Sequence, residues 1–275
     1  MDYEDAINDQ YGQRDLSDNI LATLQKESLN TADLIKEALA PIEELHLRGS
    51  AATFELAQKV DLNEKMKVLD IGSGIGGPAR KLASRFGCHV TGLDLSKEYC
   101  RAAEVINDHI GLRNKIKIQQ GNALEMPFND DAFDAAFLQH VLMNIEDKSR
   151  LFSQVSRILR PKGRLAINTV CFGIKSPVHY PVIWANRSDI SFLLSADDLQ
   201  RLINESGFKQ LSWNDDTKKV LEGIERARTK PRSDKPRPIN PGLFVWDIST
   251  KWRNIVQNLK EERIVVIQAI FERNG

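Results

Sequence analysis

Between Lys65 and Val170, short apolar runs alternate with segments in which apolar residues recur every three or four positions. Short apolar runs are typical of strands buried on both faces, and a spacing of three to four is typical of amphipathic helices. The runs predict strands at Lys67–Ile71, His89–Leu93, Ile116–Gln119, Phe133–Leu138 and Arg164–Val170, and the spacing predicts helices at Arg80–Phe86, Glu98–His109 and Lys148–Leu159. This alternation predicts a parallel sheet covered by helices on both faces.

The two flanks of this region complete the predicted fold. Up to Val60 the apolar residues keep helical spacing, which predicts an N-terminal helical cap over residues 1–60. Beyond Val170 the pattern predicts two more strands, at Phe208–Trp213 and Ile264–Phe271. It predicts two helices between them, near Thr217–Arg228 and Ile248–Leu259. We therefore expect an α/β fold: a Rossmann-like, seven-stranded, mostly parallel sheet over residues 61–275, with an insertion near 171–195 and an exposed loop at 230–241.

Charge and composition narrow the class of partner. The 275 residues carry 38 Lys and Arg against 38 Asp and Glu, so no net field attracts nucleic acid or an anionic membrane. No stretch approaches the ~20 apolar residues that span a bilayer, and the acidic residues 1–12 are unlike a secretory leader. We expect a soluble, cytoplasmic protein with a small-molecule partner, no nucleic-acid partner and no membrane partner. A homodimer stays open as an alternative.

The cysteines carry no metal signature. Cys88, Cys100 and Cys171 are widely separated, without a CxxC spacing and without paired histidines at ligand spacing. They are expected to be reduced, buried core residues, and no metal site is predicted.

A glycine-rich turn follows the first predicted strand. It contains Gly72, Gly74 and Gly76, and a helix begins near Pro78. Glycines at this spacing let the chain turn sharply and bring its backbone against a ligand. The spacing alone does not identify the ligand, because dinucleotide-binding proteins show the same spacing as proteins that bind other ligands.

Two carboxylates favour a sulfonium cofactor over a dinucleotide. Asp70 near the end of the first strand is placed to orient the glycine turn and to hold the ammonium of a methionyl tail, whereas a pyrophosphate does not suit it. Asp94 closes the second strand, next to Leu95, where it would accept hydrogen bonds from both ribose hydroxyls. The alternative for Asp70 is a helix-capping role.

The order of five motifs makes the resemblance specific. The segments VLDIGSGIGG, TGLDLS, GNALEMPF, FDAAFLQHVLMNI and LRPKGRLAI resemble the ordered motifs of class I S-adenosylmethionine-dependent methyltransferases. The resemblance implies S-adenosylmethionine as cofactor and S-adenosylhomocysteine as product. It also implies that Asn122 binds the adenine amino group, that Ala123 and Leu124 line the ring, and that Gln139 meets the cofactor.

A second resemblance extends to residues 39–53, which are similar to a segment of the sarcosine/dimethylglycine N-methyltransferase-like group. It implies that His46, Arg48, Gly49 and Thr53 order the methionyl end of the cofactor. Arg48 replaces a glycine of that group, and Glu44 and Leu45 replace its usual Gln-Phe pair, which puts the substrate in doubt more than the cofactor.

Two histidines are the candidate catalytic residues. Methyl transfer from a sulfonium requires a nucleophile aligned behind the methyl group and a site without water. An amine must arrive unprotonated, and a histidine with a pKa near ~6.5 is suited to take its proton. His140 follows the fourth strand and is the candidate base, or else a neutral group that positions substrate. His46 is the second candidate, with a stronger claim on the cofactor.

A substrate wall is predicted from the insertion after the fifth strand. Tyr180, Trp184 and Phe192 lie beyond the strand ends, and Asn144 follows the fourth strand. Aromatic side chains there suit the wall of a ligand pocket. The alternative is that they only pack the insertion onto the sheet.

The sequence is compatible with several functions. The leading hypothesis is methylation of a small molecule, with an amine nitrogen preferred over the carbon or oxygen of a quinol or phenol. Methylation of a macromolecule is disfavoured by the neutral charge and by the absence of an Asn/Asp-Pro-Pro-aromatic motif after the fourth strand. We find no convincing Tyr-Lys or His-Asp arrangement for a nicotinamide dehydrogenase. A non-catalytic, cofactor-binding regulator is the alternative from another class.

Overall fold

A computed structural model of the chain describes residues 15–26, 39, 42–43, 46–229 and 245–275. Its centre is a seven-stranded sheet with the strand order β3-β2-β1-β4-β5-β7-β6. The strands are β1 (Lys67–Ile71), β2 (His89–Asp94), β3 (Ile116–Gln120), β4 (Phe133–Gln139), β5 (Leu159–Phe172), β6 (Phe208–Asp215) and β7 (Ile264–Arg273). Strands β1 to β5 pair in parallel, and β7 runs antiparallel to both β5 and β6. The predicted fold class, a seven-stranded and mostly parallel sheet, is confirmed.

The helices in the described residues are α1 (Leu16–Lys26), α2 (Ser50–Val60), α3 (Gly77–Phe86), α4 (Lys97–His109), α5 (Lys148–Ile158), α6 (Ala196–Glu205), α7 (Thr217–Thr229) and α8 (Ile248–Lys260). Four of them begin at side-chain caps: Ser96, Asp147, Ser195 and Asp247 each accept a hydrogen bond from the backbone N–H three residues later. Such caps satisfy a donor that the first turn of a helix leaves without a partner. They fix where the chain turns from strand or loop into helix.

Apolar side chains cover both faces of the sheet, as expected for parallel strands. On one face Leu69, Ile71 and Leu138 pack with residues of α5 and α6. On the other face Val68 and Phe137 pack with residues of α2 and α3. The alternation along β1 explains this division, because successive side chains of a strand point to opposite faces.

Pro161, Lys162 and Gly163 lie inside β5. The pairing of β4 with β5 shifts from Phe133 opposite Leu159 to Ala135 opposite Arg164, so the intervening residues bulge out of the ladder. Lys162 has a φ of 65°, the left-handed conformation that a tight turn requires. β5 therefore runs as one long strand with an irregularity at these residues.

The described part of the N-terminal region packs in two places. Leu16 and Ile20 of α1 contact α4 through Ala102 and Ile106. α2, in contrast, packs directly on the sheet and α3. The predicted loop at 230–241 lies outside the described residues.

The three cysteines are buried and unpaired. Burial raises the pKa of Cys88 to about 11 and the pKa values of Cys100 and Cys171 to about 12. These thiols are therefore protonated core groups near neutral pH, not nucleophiles. In the described part of the chain, no helix has the length and apolar character needed to cross a membrane.

Candidate active site

A cavity of about 230 Å³ opens at the carboxyl ends of β1, β2 and β4, where the strand order reverses direction. Ligands bind at such a reversal because the loops that leave the two neighbouring strands turn to opposite sides and leave a crevice between them. On the side of β1 to β3 the described wall consists of Gly72, Ser73, Gly74, Ile75, Pro78, Leu93, Asp94, Leu95, Tyr99, Gly121, Asn122 and Ala123. The opposite wall consists of Ile42, Glu43, His46, Leu47, Gln139, His140, Val141, Met143, Asn144, Ile145, Ile183, Trp184, Val245 and Ile255.

The glycine-rich turn forms part of the floor of this cavity. The backbone N–H groups of Gly72 and Ser73 donate to the carbonyl of Leu93 at 2.7 and 3.0 Å, which ties the turn to β2. Gly72 has a φ of 69°, and a Cβ there would lie only 2.4 Å from a methyl group of Val141. Only glycine fits at this position. Gly76 caps α3 instead and is not among the wall residues.

Asp94 links the glycine turn to the start of α4. One carboxylate oxygen accepts from the backbone N–H of Gly74 at 2.7 Å, and the other accepts from Ser96 at 2.9 Å. Burial raises the pKa of Asp94, while these backbone hydrogen bonds act in the opposite direction. Each carboxylate oxygen can accept a further hydrogen bond. Asp94 therefore has acceptor capacity left for a ligand in the cavity.

Asn122 organises the turn that follows β3. Its side-chain oxygen accepts a hydrogen bond from the backbone N–H of Leu124 at 2.8 Å. This bond places Asn122 and Ala123 on the cavity wall. Leu124 lies outside the wall and packs against the core beneath, and its carbonyl accepts from Arg150 at 2.8 Å.

Asp70 is buried in β1, beneath the glycine turn, with 2 % of its surface exposed. It alternates with Leu69 and Ile71, so its side chain lies on the face of α2 and α3. It is not among the wall residues. Any influence of Asp70 on a ligand would therefore pass through the turn above it.

Three polar side chains of the opposite wall, Gln139, His46 and His140, form a row with Thr53, which lies behind them. The hydroxyl of Thr53 donates to the side-chain oxygen of Gln139 at 3.0 Å, and it lies 3.4 Å from Nε2 of His46. The ring of His46 stacks on that of His140, with centroids 5.7 Å apart and planes inclined by 26°. Thr53 is itself buried and does not reach the wall, so it positions Gln139 and His46 from behind.

His140 is held in place by its backbone. Its φ of 56° is left-handed, and its N–H donates to the carbonyl of Asn168 at 2.7 Å. Burial, and then the neighbouring His46, hold the pKa of His140 well below its usual value of 6.5. The imidazole is therefore neutral at physiological pH. Its Nε2 atom is buried without a hydrogen-bond partner in the described part of the structure.

The predicted substrate residues divide into two groups. Asn144 and Trp184 are wall residues: the amide of Asn144 donates to the carbonyl of Trp184 at 2.8 Å, and the indole N–H of Trp184 donates to Ser191 at 2.9 Å. Tyr180 and Phe192 are not wall residues. Tyr180 packs in the cluster of the insertion, and the backbone of Phe192 is held by the carbonyl of Met143 at 2.8 Å.

Arg48 turns away from the cavity. Its guanidinium pairs with Glu55 and, at 2.5 Å, with Asp216, which is almost fully buried. These carboxylates raise the pKa of Arg48. Gly49 precedes α2 and is also outside the wall. The structure thus brings His46 to the cavity from this segment and commits Arg48 to an ion pair.

Several wall residues were not predicted. Ser73, Ile75, Gly121 and Val141 adjoin motif residues, so their positions follow from the motifs already identified. Tyr99 lies in the first turn of α4, after Asp94. Others come from separate segments, such as Val245, Ile183 and Ile255, and nothing in their local sequence marks them. Among the described residues no cluster of His, Cys, Asp and Glu is arranged to hold a metal ion.

Comparison with known proteins identifies the central region. Residues 69–167 match the family model described as a methyltransferase domain. The chain is 36% identical over 123 residues to a glycine/sarcosine/dimethylglycine N-methyltransferase from Actinopolyspora halophila, covering 45% of this chain and 22% of that protein. It is 27% identical over 176 residues to the O-methyltransferase resE of Aspergillus sclerotiorum, covering 63% of this chain and 66% of that protein. The chain thus spans less than two thirds of the length of these relatives.

A solved structure has the same fold at low sequence identity. The geranyl diphosphate C-methyltransferase from Streptomyces coelicolor A3(2), in complex with S-adenosylhomocysteine, superposes with a TM-score of 0.65 at 20% identity, covering 82% of this chain and 78% of that chain. This likeness concerns the fold alone. The family model, the ordered motifs and the cavity at the sheet reversal agree, and the cofactor of this family is S-adenosylmethionine. Residues 69–167 therefore form a methyltransferase domain of the class I, S-adenosylmethionine-dependent type.

Proposed function

We propose that this chain transfers the methyl group of S-adenosylmethionine to a small-molecule acceptor, with an amine nitrogen as the accepting atom. The observation that carries the proposal is a single cavity with two unlike walls. One wall carries the glycine turn, Asp94 and Asn122, and the other carries two stacked histidines among apolar side chains. A cofactor and an acceptor held on opposite walls would face each other.

The first wall suits the polar groups of the cofactor. Asp94 would accept from the ribose hydroxyls, and Asn122 with Ala123 would border the adenine. On the other side, the side-chain nitrogen of Gln139 is buried without a partner in the described part of the chain. A buried donor of this kind is costly unless a ligand satisfies it. Gln139 therefore has a reason to donate to the methionyl end, with His46 beside it.

The second wall aligns the acceptor and excludes water. When bound, the cofactor supplies a methyl group on a sulfonium, whose leaving group needs no further activation. The chain has to orient the nucleophile along the line of displacement and keep solvent out. Ile42, Glu43 and Leu47, from the segment before α2, lie on the wall and close part of the cavity.

His140 has two roles to distinguish. A general base works best with a pKa near the working pH, and the pKa of His140 lies well below 6.5. A weakly basic, neutral imidazole with a free Nε2 is better suited to accept a hydrogen bond from an amine that arrives unprotonated. We propose this positioning of the lone pair as its main contribution, with proton removal as the alternative.

A hydroxyl acceptor is the second candidate. The apolar side chains of the second wall suit a quinol or phenol, and His140 would accept its O–H as it would an N–H. The O-methyltransferase relative is consistent with this alternative. The apolar wall also suits an acceptor with a carbon nucleophile, which needs no proton acceptor in the first step.

The remaining expectations keep the status of proposals. The neutral charge balance supports a cytoplasmic protein that acts on small molecules without a nucleic-acid or membrane partner. The division into residues 1–60 and 61–275, a homodimeric state and the assigned roles of the site residues are proposals as well.

The test is a screen for S-adenosylhomocysteine release. Purified protein is incubated with S-adenosylmethionine and a panel of primary and secondary amines, phenols and quinols. We expect at least one amine to release product above the background without acceptor, and Asp94→Ala to reduce that rate. Tight binding of S-adenosylhomocysteine with no release for any acceptor would favour a non-catalytic regulator instead.

A further inference from the structure

The acceptor side of the cavity is made mainly of apolar side chains that come from separate parts of the chain. Met143 and Ile145 follow β4, Ile183 and Trp184 come from the insertion, and Ile255 lies on α8. Trp184 is only 3 % exposed and is held at both ends by the hydrogen bonds described above. Because Ser191 satisfies its indole N–H, the indole offers the cavity a hydrophobic surface.

Two cationic side chains that lie near this wall along the chain are committed elsewhere. Arg48, next to wall residue Leu47, pairs with Glu55 and Asp216. Lys148 donates to the carbonyls of Ile145 and Phe192, and burial lowers its pKa to about 8.

Two ionisable wall residues do not supply a cation either. His140 is neutral, and Glu43 is an anion that pairs with Arg80 and Lys81. The wall residues that the structure describes include no lysine or arginine to pair with the carboxylate of an acceptor.

We propose that the acceptor is a hydrophobic molecule whose reactive N–H or O–H is carried on an apolar, uncharged body, and not a small zwitterion. This inference rests on the proposed function, because it names the substrate class of the same site. A carboxylate placed against Trp184 and the aliphatic wall would lose its hydration without gaining a partner. Each methylene buried there instead strengthens binding about fourfold.

The inference separates this chain from the named substrates of one relative. The relative from Actinopolyspora halophila is named for glycine, sarcosine and dimethylglycine, which all carry a carboxylate. Similarity to that protein covers 45% of this chain. The acceptor wall, with residues as distant as Ile183 and Ile255, is where two such proteins can differ in substrate.

The experiment compares amines that differ only by a carboxylate. Protein loaded with S-adenosylhomocysteine is titrated calorimetrically with phenethylamine and phenylalanine, and with methylamine and glycine. We expect phenethylamine to bind at least tenfold more tightly than phenylalanine and methylamine. Trp184→Ala should weaken phenethylamine binding about tenfold and leave S-adenosylhomocysteine affinity within twofold, whereas Trp252→Ala, at an exposed position of α8, should change neither.

Two outcomes would overturn the inference. The first is that an amino acid binds as well as its decarboxylated partner. Lys251, buried on the same face of α8 as Ile255, is then the residue to examine, and Lys251→Met would show whether it holds the carboxylate. The second is that neither phenethylamine nor a phenol such as tyramine binds at all. Binding of phenethylamine without methyl transfer would instead contradict the proposed function and leave the substrate class standing.

Discussion

The Asp94→Ala substitution tests the cofactor wall most sharply, because this carboxylate has both structural and proposed binding roles. In the free protein it accepts from Gly74 and Ser96 at 2.7 and 2.9 Å. Gly74 borders the cavity, where water can replace the lost acceptor, whereas Ser96 does not, so the substitution should lower the free energy of unfolding by about 1–3 kcal/mol in total. Loss of hydrogen bonds from the ribose should cost a further ~1.5–3 kcal/mol of binding free energy, or about tenfold to a hundredfold in affinity.

The two effects are separated by the choice of ligand. Urea unfolding measures the structural part, and calorimetric titration with S-adenosylhomocysteine measures the binding part. A 3′-deoxyribose analogue should bind the parent protein more weakly, and Asp94→Ala should lose little further affinity for it. Asp108→Ala, which removes an exposed partner of Arg113, is the control and should change neither quantity by more than about 0.5 kcal/mol. Unchanged S-adenosylhomocysteine affinity in a folded Asp94→Ala protein would refute the role.

Three further predictions concern the histidines of the opposite wall and the ion pair of Arg48. Once an acceptor is found, His140→Ala should lower the single-turnover rate about tenfold to a hundredfold if the imidazole accepts a hydrogen bond from the acceptor. If His140 is a base, the rate should fall about 10²- to 10⁴-fold, and the loss should shrink at high pH. His46→Ala should mainly raise the cofactor dissociation constant. Parental rates for His140→Ala at every pH would remove it from the chemistry. Because the pKa of His140 is held well below 6.5, the unfolded chain binds more protons than the folded protein between that lowered pKa and ~6.5. The free energy of unfolding should therefore decrease as the pH is lowered from ~6.5 through this window, whereas the contribution of His140 stays constant above it and is lost in His140→Gln. An identical pH slope of urea-unfolding free energies for parent and variant would contradict this. Arg48→Ala removes one cationic partner of the buried Asp216 and leaves Lys219, at 2.8 Å, as the other. The substitution should therefore lower the free energy of unfolding in urea by about 2–4 kcal/mol. A change below about 0.5 kcal/mol would show that the Arg48–Asp216 ion pair does not stabilise the fold.

The fold was largely predictable because its strands are buried on both faces. Their apolar runs stand out from the amphipathic helices between them, and β1 was predicted with both ends correct. Several missed ends belong to polar residues, such as Asp94, Gln120 and Gln139, which continue the ladder without contributing to the apolar run. β5 also extends beyond the predicted strand at both ends, to Leu159 and Phe172. Backbone hydrogen bonds extend a strand there, and hydrophobicity carries no information about them.

The candidate site was predictable only where it is local in sequence. Gly72, Asp94 and Asn122 follow consecutive strands, so the parallel topology alone brings them to one edge of the sheet. Contacts between distant segments were not predictable. Arg48 was expected at the cofactor, but its partner Asp216 lies 168 positions away and directs the guanidinium elsewhere.

The central claim is that the cavity at the sheet reversal is an S-adenosylmethionine site. The most direct measurement is a calorimetric titration of the purified chain with S-adenosylhomocysteine and, separately, with NAD. The account predicts saturable binding of one S-adenosylhomocysteine per chain and no heat of binding for NAD. Saturable binding of NAD without any binding of S-adenosylhomocysteine would contradict it.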